Sequence, residues 1–310
     1  MTYRPDQQAR LPLPPTLFAM ALMLAVAGTG LAQLIAANMT RDPMGAASSM
    51  GLSALLSIPV AVVLAIASGE HSRLVVSSSY QLLALRCLAH IGLLLFVFLP
   101  FRNLGIGAIF IEFLGYPVAA VIAVLLIHER PALRDITASG LVVAATIGIL
   151  AFLTWPAVWN GMTDTILLPA TVCLATYVVL TRRLAPRDGV ACLLFWDSLV
   201  TVIFFAGLFG AELVAWDGAP WNQAAGLLLA LVAGRVFWIK AYAHAPIARL
   251  LPFEFLPLPL LVAVALLFRQ TMPPALMLGS ALVVPICAGL IWREIVVVLR
   301  EKRSLLATFD

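Results

Sequence analysis

Two glutamates sit inside apolar stretches that the chain uses twice. Residues 111–131 read IEFLGYPVAAVIAVLLIHERP and residues 253–273 read FEFLPLPLLVAVALLFRQTMP. At a constant shift of 142, without a gap, they agree at Glu112/Glu254, Phe113/Phe255, Leu114/Leu256, Pro117/Pro259, Ala123/Ala265, Leu125/Leu267 and Pro131/Pro273. A carboxylate placed in lipid costs about 2.5–3.5 kcal/mol on insertion scales, so an acid inside a membrane helix points by default to a solute site or a proton relay. The competing reading is structural. Pro117 and Pro259 each follow their glutamate by five residues, and a helical proline frees the carbonyl four residues before it. A protonated Glu112 or Glu254 could donate to such a carbonyl and only repair a kink. Pro117, Pro257 and Pro259 are the candidate hinge residues of the two stretches.

Bases accompany these acids inside apolar runs. Arg235 lies deep in its run, and Lys240 follows toward the next connection, where it can snorkel. Arg86 and His90 stand four residues apart, on one face of a helix. For Arg86, snorkelling and ligand contact are both open; for His90, a hydrogen-bonded interior histidine competes with a proton relay. Asp197 beside Trp196 is a weaker candidate of the same kind, and Trp196, Trp238 and Tyr116 either line a cavity or pack. Acids and bases together suit a zwitterionic or mixed-charge solute better than a hydrophobic cation, unless the charges satisfy one another in pairs.

The elements that must position these residues are membrane helices. Of 310 residues, 63% are hydrophobic and 11% charged, against about 25% charged in a soluble domain. Apolar runs near the length of a helical span recur, and strand-like alternation does not. The runs fall at about 16–37, 45–68, 80–100, 103–127, 133–153, 163–181, 190–213, 222–243, 246–268 and 274–294. The first exceeds the apolar core of a signal peptide, so it is expected to remain as a helix. Connections are short, which leaves no soluble domain.

Thirteen of the 19 Lys and Arg residues fall on the amino-terminal side of this topology, against Arg41, Arg102 and Arg269 opposite. The positive-inside bias then places both termini in the cytoplasm. Trp155, Trp159, Trp216 and Trp221 gather in the two outer connections, as an aromatic belt requires. Asn38-Met39-Thr40 fits a glycosylation sequon, but it sits tight against a span, where chance explains it better. The net charge of +4 is spread between spans and forms no nucleic-acid patch. Cys87, Cys173, Cys192 and Cys287 all lie in apolar runs without paired spacing, which supports neither a disulfide framework nor a metal site. No cofactor or metal is expected.

The repeat extends beyond the opening stretch. Gly92 and Gly234 keep the shift of 142, and Leu141-Val142-Val143 with Gly148 recurs as Leu282-Val283-Val284 with Gly289. Five spans per half is an odd number, so the second half crosses in the opposite sense. The expected fold is an all-α integral membrane protein of ten transmembrane helices as two inverted five-helix repeats, 1–154 and 155–310. Such repeats build substrate sites at their interface near the midplane. Glu112 and Glu254 would lie about 14 and 12 Å deep from opposite faces, in a hydrocarbon core whose half-thickness is about 15 Å.

With the repeat in hand, the chain resembles the drug/metabolite transporter superfamily, in its ten-helix EamA-type form. In the first half the resemblance rests on Arg86, Gly92, Asn103-Leu104-Gly105, Pro117 and HERPALRDITASG at 128–140, with Glu129 and Gly140 at the signature positions. In the second half Gly234, Ala245-Pro246, Pro259 and Gly279 fit, while Thr271 stands where a glutamate is expected. The resemblance implies an inner-membrane carrier working by alternating access, often exporting amino acids or related metabolites. It also implies that Glu129 is a structural residue rather than a ligand.

The leading expectation is therefore a secondary transporter of a small polar or zwitterionic, amino-acid-like solute, proton-coupled, with Glu112, Glu254, Arg235, Arg86 and His90 as candidate site residues. Its partners are that solute and the lipid bilayer; a monomer suffices and a dimer is compatible. An efflux carrier for lipophilic cations is the alternative within transport. A membrane enzyme lacks a metal-ligand cluster, nucleophile elbow or phosphate loop in the sequence, and a channel or scaffold would be told apart by steady currents or by a waterless bundle.

Overall fold

The computed structural model describes residues 14–40, 44–98, 115–158, 162–214, 221–269 and 274–306. They form α1 (Pro15–Thr40), α2 (Met44–Ala67), α3 (Tyr80–Phe98), α4 (Gly115–Ile127), α5 (Leu133–Val158), α6 (Met162–Val214), α7 (Trp221–His244), α8 (Ile247–Glu254), α9 (Pro257–Leu267) and α10 (Pro274–Leu306). A 3₁₀ turn, His71–Arg73, precedes α3. Among the described residues there is no strand. Four stretches are long and apolar enough to cross a membrane: Met50–Ala67, Leu168–Leu208, Ile247–Leu267 and Met277–Arg300.

The distribution of side chains is that of helices set in an apolar medium. Outward faces carry Ile66, Leu125, Leu229 and Leu278, each between 64% and 67% exposed, while the largest fully buried side chain is Arg86. A water-soluble bundle would put these the other way round.

The 53 residues of α6 do not run straight. Tyr177 Oη donates to Asp197 Oδ2 at 2.7 Å across 20 positions, where a straight helix would set the two residues about 30 Å apart. The stretch therefore doubles back, with its bend at Pro186–Gly189. Gly189 takes a left-handed φ of 81°, which glycine adopts without the steric cost a Cβ would add. Asp188 ties the bend to the start of α3, accepting from the Ser77 hydroxyl at 2.5 Å and from the Ser78 N–H at 2.8 Å. The polar segment 182–188 is thus a turn between two antiparallel arms, at the place where the sequence separates two spans.

The expected span over 246–268 is broken. α8 ends at Glu254 and α9 begins at Pro257, with Phe255 and Leu256 between them. Pro257 and Pro259 have no N–H to continue the helical ladder. The bonds that remain are the shorter kind: Phe255 N to Pro252 O, Leu256 N to Phe253 O and Leu258 N to Phe255 O. The Phe255 carbonyl freed by Pro259 is thus taken by Leu258, so Glu254 is not needed to repair the kink. Pro117 lies in the first turn of described α4, and Phe113 outside the described residues.

Features of the packing recur at the spacing of the sequence repeat. A Cβ on Gly92 would come within 2.7 Å of Cys173 Sγ, and one on Gly234 within 2.6 Å of Thr29 Oγ1. So α3 meets the first arm of α6 as closely as α7 meets α1. Further along, and one position off that spacing, His128 follows α4 at φ 58° and Arg269 lies just past α9 at φ 56°, the two left-handed non-glycine residues among those described. A left-handed side-chain residue costs roughly 1–2 kcal/mol, and the chain accepts that cost at corresponding helix ends.

One end of the bundle is tied by ion pairs. Arg182 Nε donates to Glu129 Oε1 at 2.7 Å, and Arg182 Nη1 donates to the carbonyls of Tyr242 and Ala243 at the end of α7. Glu129 Oε2 accepts the N–H of Ile247 at the start of α8. Helix ends leave such groups without intrahelical partners, so one pair satisfies both sides of the α7–α8 corner. Nearby, Arg249 contacts Asp135 at 3.1 Å and Glu294 at 3.6 Å, and Thr16 donates to Glu294 at 3.2 Å. Thr16, Glu129, Asp135, Arg182, Arg249 and Glu294 therefore share one end, the one to which charge counting assigns these connections.

Candidate functional site

α3 lies parallel to the second arm of α6 at a fixed offset. Ser77 meets Asp188, Arg86 meets Asp197 and His90 meets Thr201, each pair 111 positions apart. Against the first arm it runs antiparallel, with Arg86 beside Thr181 and His90 beside Tyr177. Polar side chains four residues apart on α3 thus meet polar side chains four residues apart on its neighbour.

Arg86 is fully buried and bound on every side. Its Nη1 and Nη2 donate to Asp197 Oδ1 and Oδ2 at 2.6 and 2.7 Å, a two-pronged pair. Its Nε donates to Thr181 Oγ1 at 2.8 Å, and its guanidinium carbon lies 4.7 Å from the centre of the Tyr177 ring. Arg86 therefore neither snorkels nor offers a donor to a solute in this arrangement. Asp197, the weaker candidate from sequence, is its partner and the hub of the cluster.

His90 Nε2 lies 2.9 Å from Thr201 Oγ1, and the Thr201 hydroxyl donates its one proton to the Asp197 carbonyl at 2.7 Å. That assignment makes Nε2 the donor to Thr201 and leaves Nδ1 of the neutral ring as an acceptor. Thr201 is fully buried with its proton engaged, so it is no available nucleophile beside the histidine.

Aromatic rings join this cluster to Glu254. His90 stacks on Tyr177 with centroids 4.9 Å apart, and Tyr177 stacks on Trp238 at 5.4 Å and 8°. Trp238 meets Tyr242 edge-on at 4.7 Å. Glu254 Oε1 then accepts from Trp238 Nε1 at 2.8 Å and from Tyr242 Oη at 2.6 Å. Trp238, for which the sequence leaves cavity lining and packing both open, links the two polar groups.

Arg235 completes the group. It stands one turn before Trp238 on α7, and its Nη1 is buried without a hydrogen-bond partner. Among the described residues only three buried side-chain polar atoms are in that condition: Arg235 Nη1, His90 Nδ1 and Thr171 Oγ1. Leaving a buried donor unpaired costs about 1–3 kcal/mol, and more when it is charged. Lys240 points elsewhere, with its Nζ 5.3 Å from the centre of the Phe18 ring.

Of the residues expected from sequence, the fold brings together Arg86, His90, Arg235 and Glu254, while Glu112 lies outside the described residues. Sequence reasoning missed Tyr177, Thr181, Thr201 and Tyr242. Their signal was the matched four-residue spacing of Arg86/His90 and Asp197/Thr201, which has meaning only once the helices are known to run in register. No group of three or more His, Cys, Asp or Glu among the described residues could hold a metal ion.

No protein family and no curated protein matches the chain. Thirteen chains of solved structures do match. One of them, a crystal structure, has a TM-score of 0.65 at 15% identity, covering 88% of this chain and 95% of that one. At such identity the likeness is one of fold: this helical architecture is that of a protein already seen by crystallography.

Proposed function

We propose that this chain is a carrier of the EamA type within the drug/metabolite transporter superfamily. Ten spans in two inverted halves, 1–154 and 155–310, would move a small polar or zwitterionic, amino-acid-like solute across the inner membrane by alternating access, as proton-coupled export. The supporting observation is the buried polar cluster inside an apolar-faced bundle. Arg86 and His90 from the first half meet Asp197 and Tyr177 from the second, and through Tyr177 the cluster continues to Trp238 and Glu254. Carriers built from inverted repeats bind at such a contact between halves, and ionisable side chains turned to a bundle interior mark transport routes. The recurring Gly92 and Gly234 contacts and the paired left-handed helix ends support the repeat.

The test is transport by the full chain in proteoliposomes loaded with a labelled amino-acid mixture, with and without an imposed pH gradient. The wild type is expected to release label faster when protons can move inward in exchange. Glu254→Gln together with Glu112→Gln is expected to abolish the response to the gradient. Unchanged, gradient-dependent transport by the double variant removes the glutamates from the mechanism. A second reading, efflux of lipophilic cations, is favoured by the Tyr177–Trp238–Tyr242 rings beside Glu254, since rings and a carboxylate attract cations. The unpartnered cation of Arg235 in the same cluster weighs against it.

A further inference from the structure

We infer that Arg235 and His90 are the two anchors of the solute site, Arg235 Nη1 binding a carboxylate and His90 Nδ1 accepting a hydrogen bond from the solute's amino group. The inference rests on the carrier reading and assigns the ligand's chemistry within it.

Most polar groups of the cluster are already engaged. Arg86 donates to Asp197, Thr181 and Tyr177, and Asp197 accepts from Arg86 and Tyr177. That pair is closed. Glu254, the residue that sequence alone would choose to hold an ammonium group, already receives the Trp238 and Tyr242 donors on Oε1. Two groups of the cluster remain without partners. One is a cationic donor, Arg235 Nη1, and the other a neutral acceptor, His90 Nδ1.

They are complementary and belong to one cluster. Arg235 stands one turn before Trp238 on α7, Trp238 stacks on Tyr177, and Tyr177 stacks on His90. Buried polar groups are otherwise paired in nearly every case, and a guanidinium recognises carboxylates well because its planar fork matches their geometry. An α-amino acid carries its carboxylate and its N–H donors on one carbon, which suits a donor and an acceptor set in one cluster. A lipophilic cation offers neither a charge for Arg235 nor a proton for Nδ1.

The test is thermal unfolding of the purified full chain in detergent. The probes are leucine, phenylalanine and glutamine, their deaminated acids, their decarboxylated amines, and tetraphenylphosphonium. The amino acids and deaminated acids are expected to raise the wild-type melting temperature, and the amines and tetraphenylphosphonium to leave it unchanged. Arg235→Gln is expected to abolish the response to every carboxylate. Because Nη1 has no partner to lose, that variant is expected to melt no lower than wild type without ligand. His90→Phe is expected to weaken amino-acid binding about tenfold and leave the deaminated acids unaffected.

Amines or tetraphenylphosphonium binding as tightly as the carboxylates would overturn the assignment. So would a carboxylate response retained by Arg235→Gln, a lower ligand-free melting temperature or failed folding of that variant, or no carboxylate response in the wild type. The carrier reading fails separately. If the carboxylates bind but cross proteoliposomes no faster than they cross protein-free liposomes, the anchors stand and transport does not. If tetraphenylphosphonium is carried instead, transport stands and the anchors fall.

Discussion

The two halves are alike where their helices touch and unlike where they are polar. Gly92 against Cys173 and Gly234 against Thr29 are the same close contact made twice, and His128 and Arg269 end corresponding helices in the same left-handed turn. In the polar cluster Glu254 keeps its counterpart in Glu112, but the Arg86–Asp197 pair has none. At the repeat shift, Leu228 corresponds to Arg86 and Leu55 to Asp197. Helix approach is set by small residues and backbone shape, which both copies need in order to pack. The Arg86–Asp197 pair is made once, so one copy holds ions at positions where the other keeps leucine.

The strongest way to break this comparison is to make the polar half resemble the apolar one. Arg86→Leu alone leaves Asp197 buried without its cation, and removing one partner of a buried pair costs about 3–5 kcal/mol. The melting temperature is expected to drop sharply. Arg86→Leu combined with Asp197→Leu, which copies Leu228 and Leu55, is expected to recover most of that loss, because paired apolar replacements of buried ions are often neutral or stabilising. Melts of the two single variants and the double would decide it; a double variant no better than the singles would mean that the cluster, rather than its charge balance, holds α3 to α6.

The shared contacts are sharpened by filling each glycine in turn. Gly92→Ala and Gly234→Ala each place a methyl where Cys173 Sγ or Thr29 Oγ1 now lies, at 2.7 and 2.6 Å. Overpacking of this kind costs about 1–3 kcal/mol. Cys173→Ala is expected to rescue the first and Thr29→Ala the second, since the next atoms, their Cβ atoms, stand at ordinary contact distances of 3.7 and 3.5 Å. Similar costs in the two halves would confirm that the contacts are equivalent; a cost in one half only would separate them.

The smallest effect belongs to the exposed rim of the tied end. Arg134 is 36% exposed and meets Asp135 and Glu294 only at 3.7 and 3.9 Å. Exposed pairs contribute about 0–1 kcal/mol and weaken with salt. Arg134→Gln is expected to shift the melting temperature by a degree or two at most, and less still at high salt.

Much of the architecture was legible because it follows from local transfer free energy. The polar segment 182–188 marks the bend of α6, since an apolar helix gives way to a turn where charges and proline accumulate. Pro257 and Pro259 marked the break after Glu254, since a missing N–H is local too. Glu129 was expected to be structural and is held by Arg182 and the Ile247 N–H. For the site, sequence found Arg86, His90, Arg235 and Glu254 as ions placed where ions are costly, but it could not say what they touched. Arg86 appeared free to snorkel or bind, while Asp197 and Trp238 appeared minor.

What the chain fixes locally is its apolar helices and the kinks at its prolines, because each depends on residues near one another along the chain. Tertiary structure alone decided which ions are satisfied. Arg86 and Asp197 lie 111 positions apart and meet only because α3 sits in register with the returning arm of α6. On α7, Arg235 Nη1 is left without a partner. A hydrogen bond is made or lost over less than an ångström of donor–acceptor separation, and only the packing of distant helices fixes positions that finely.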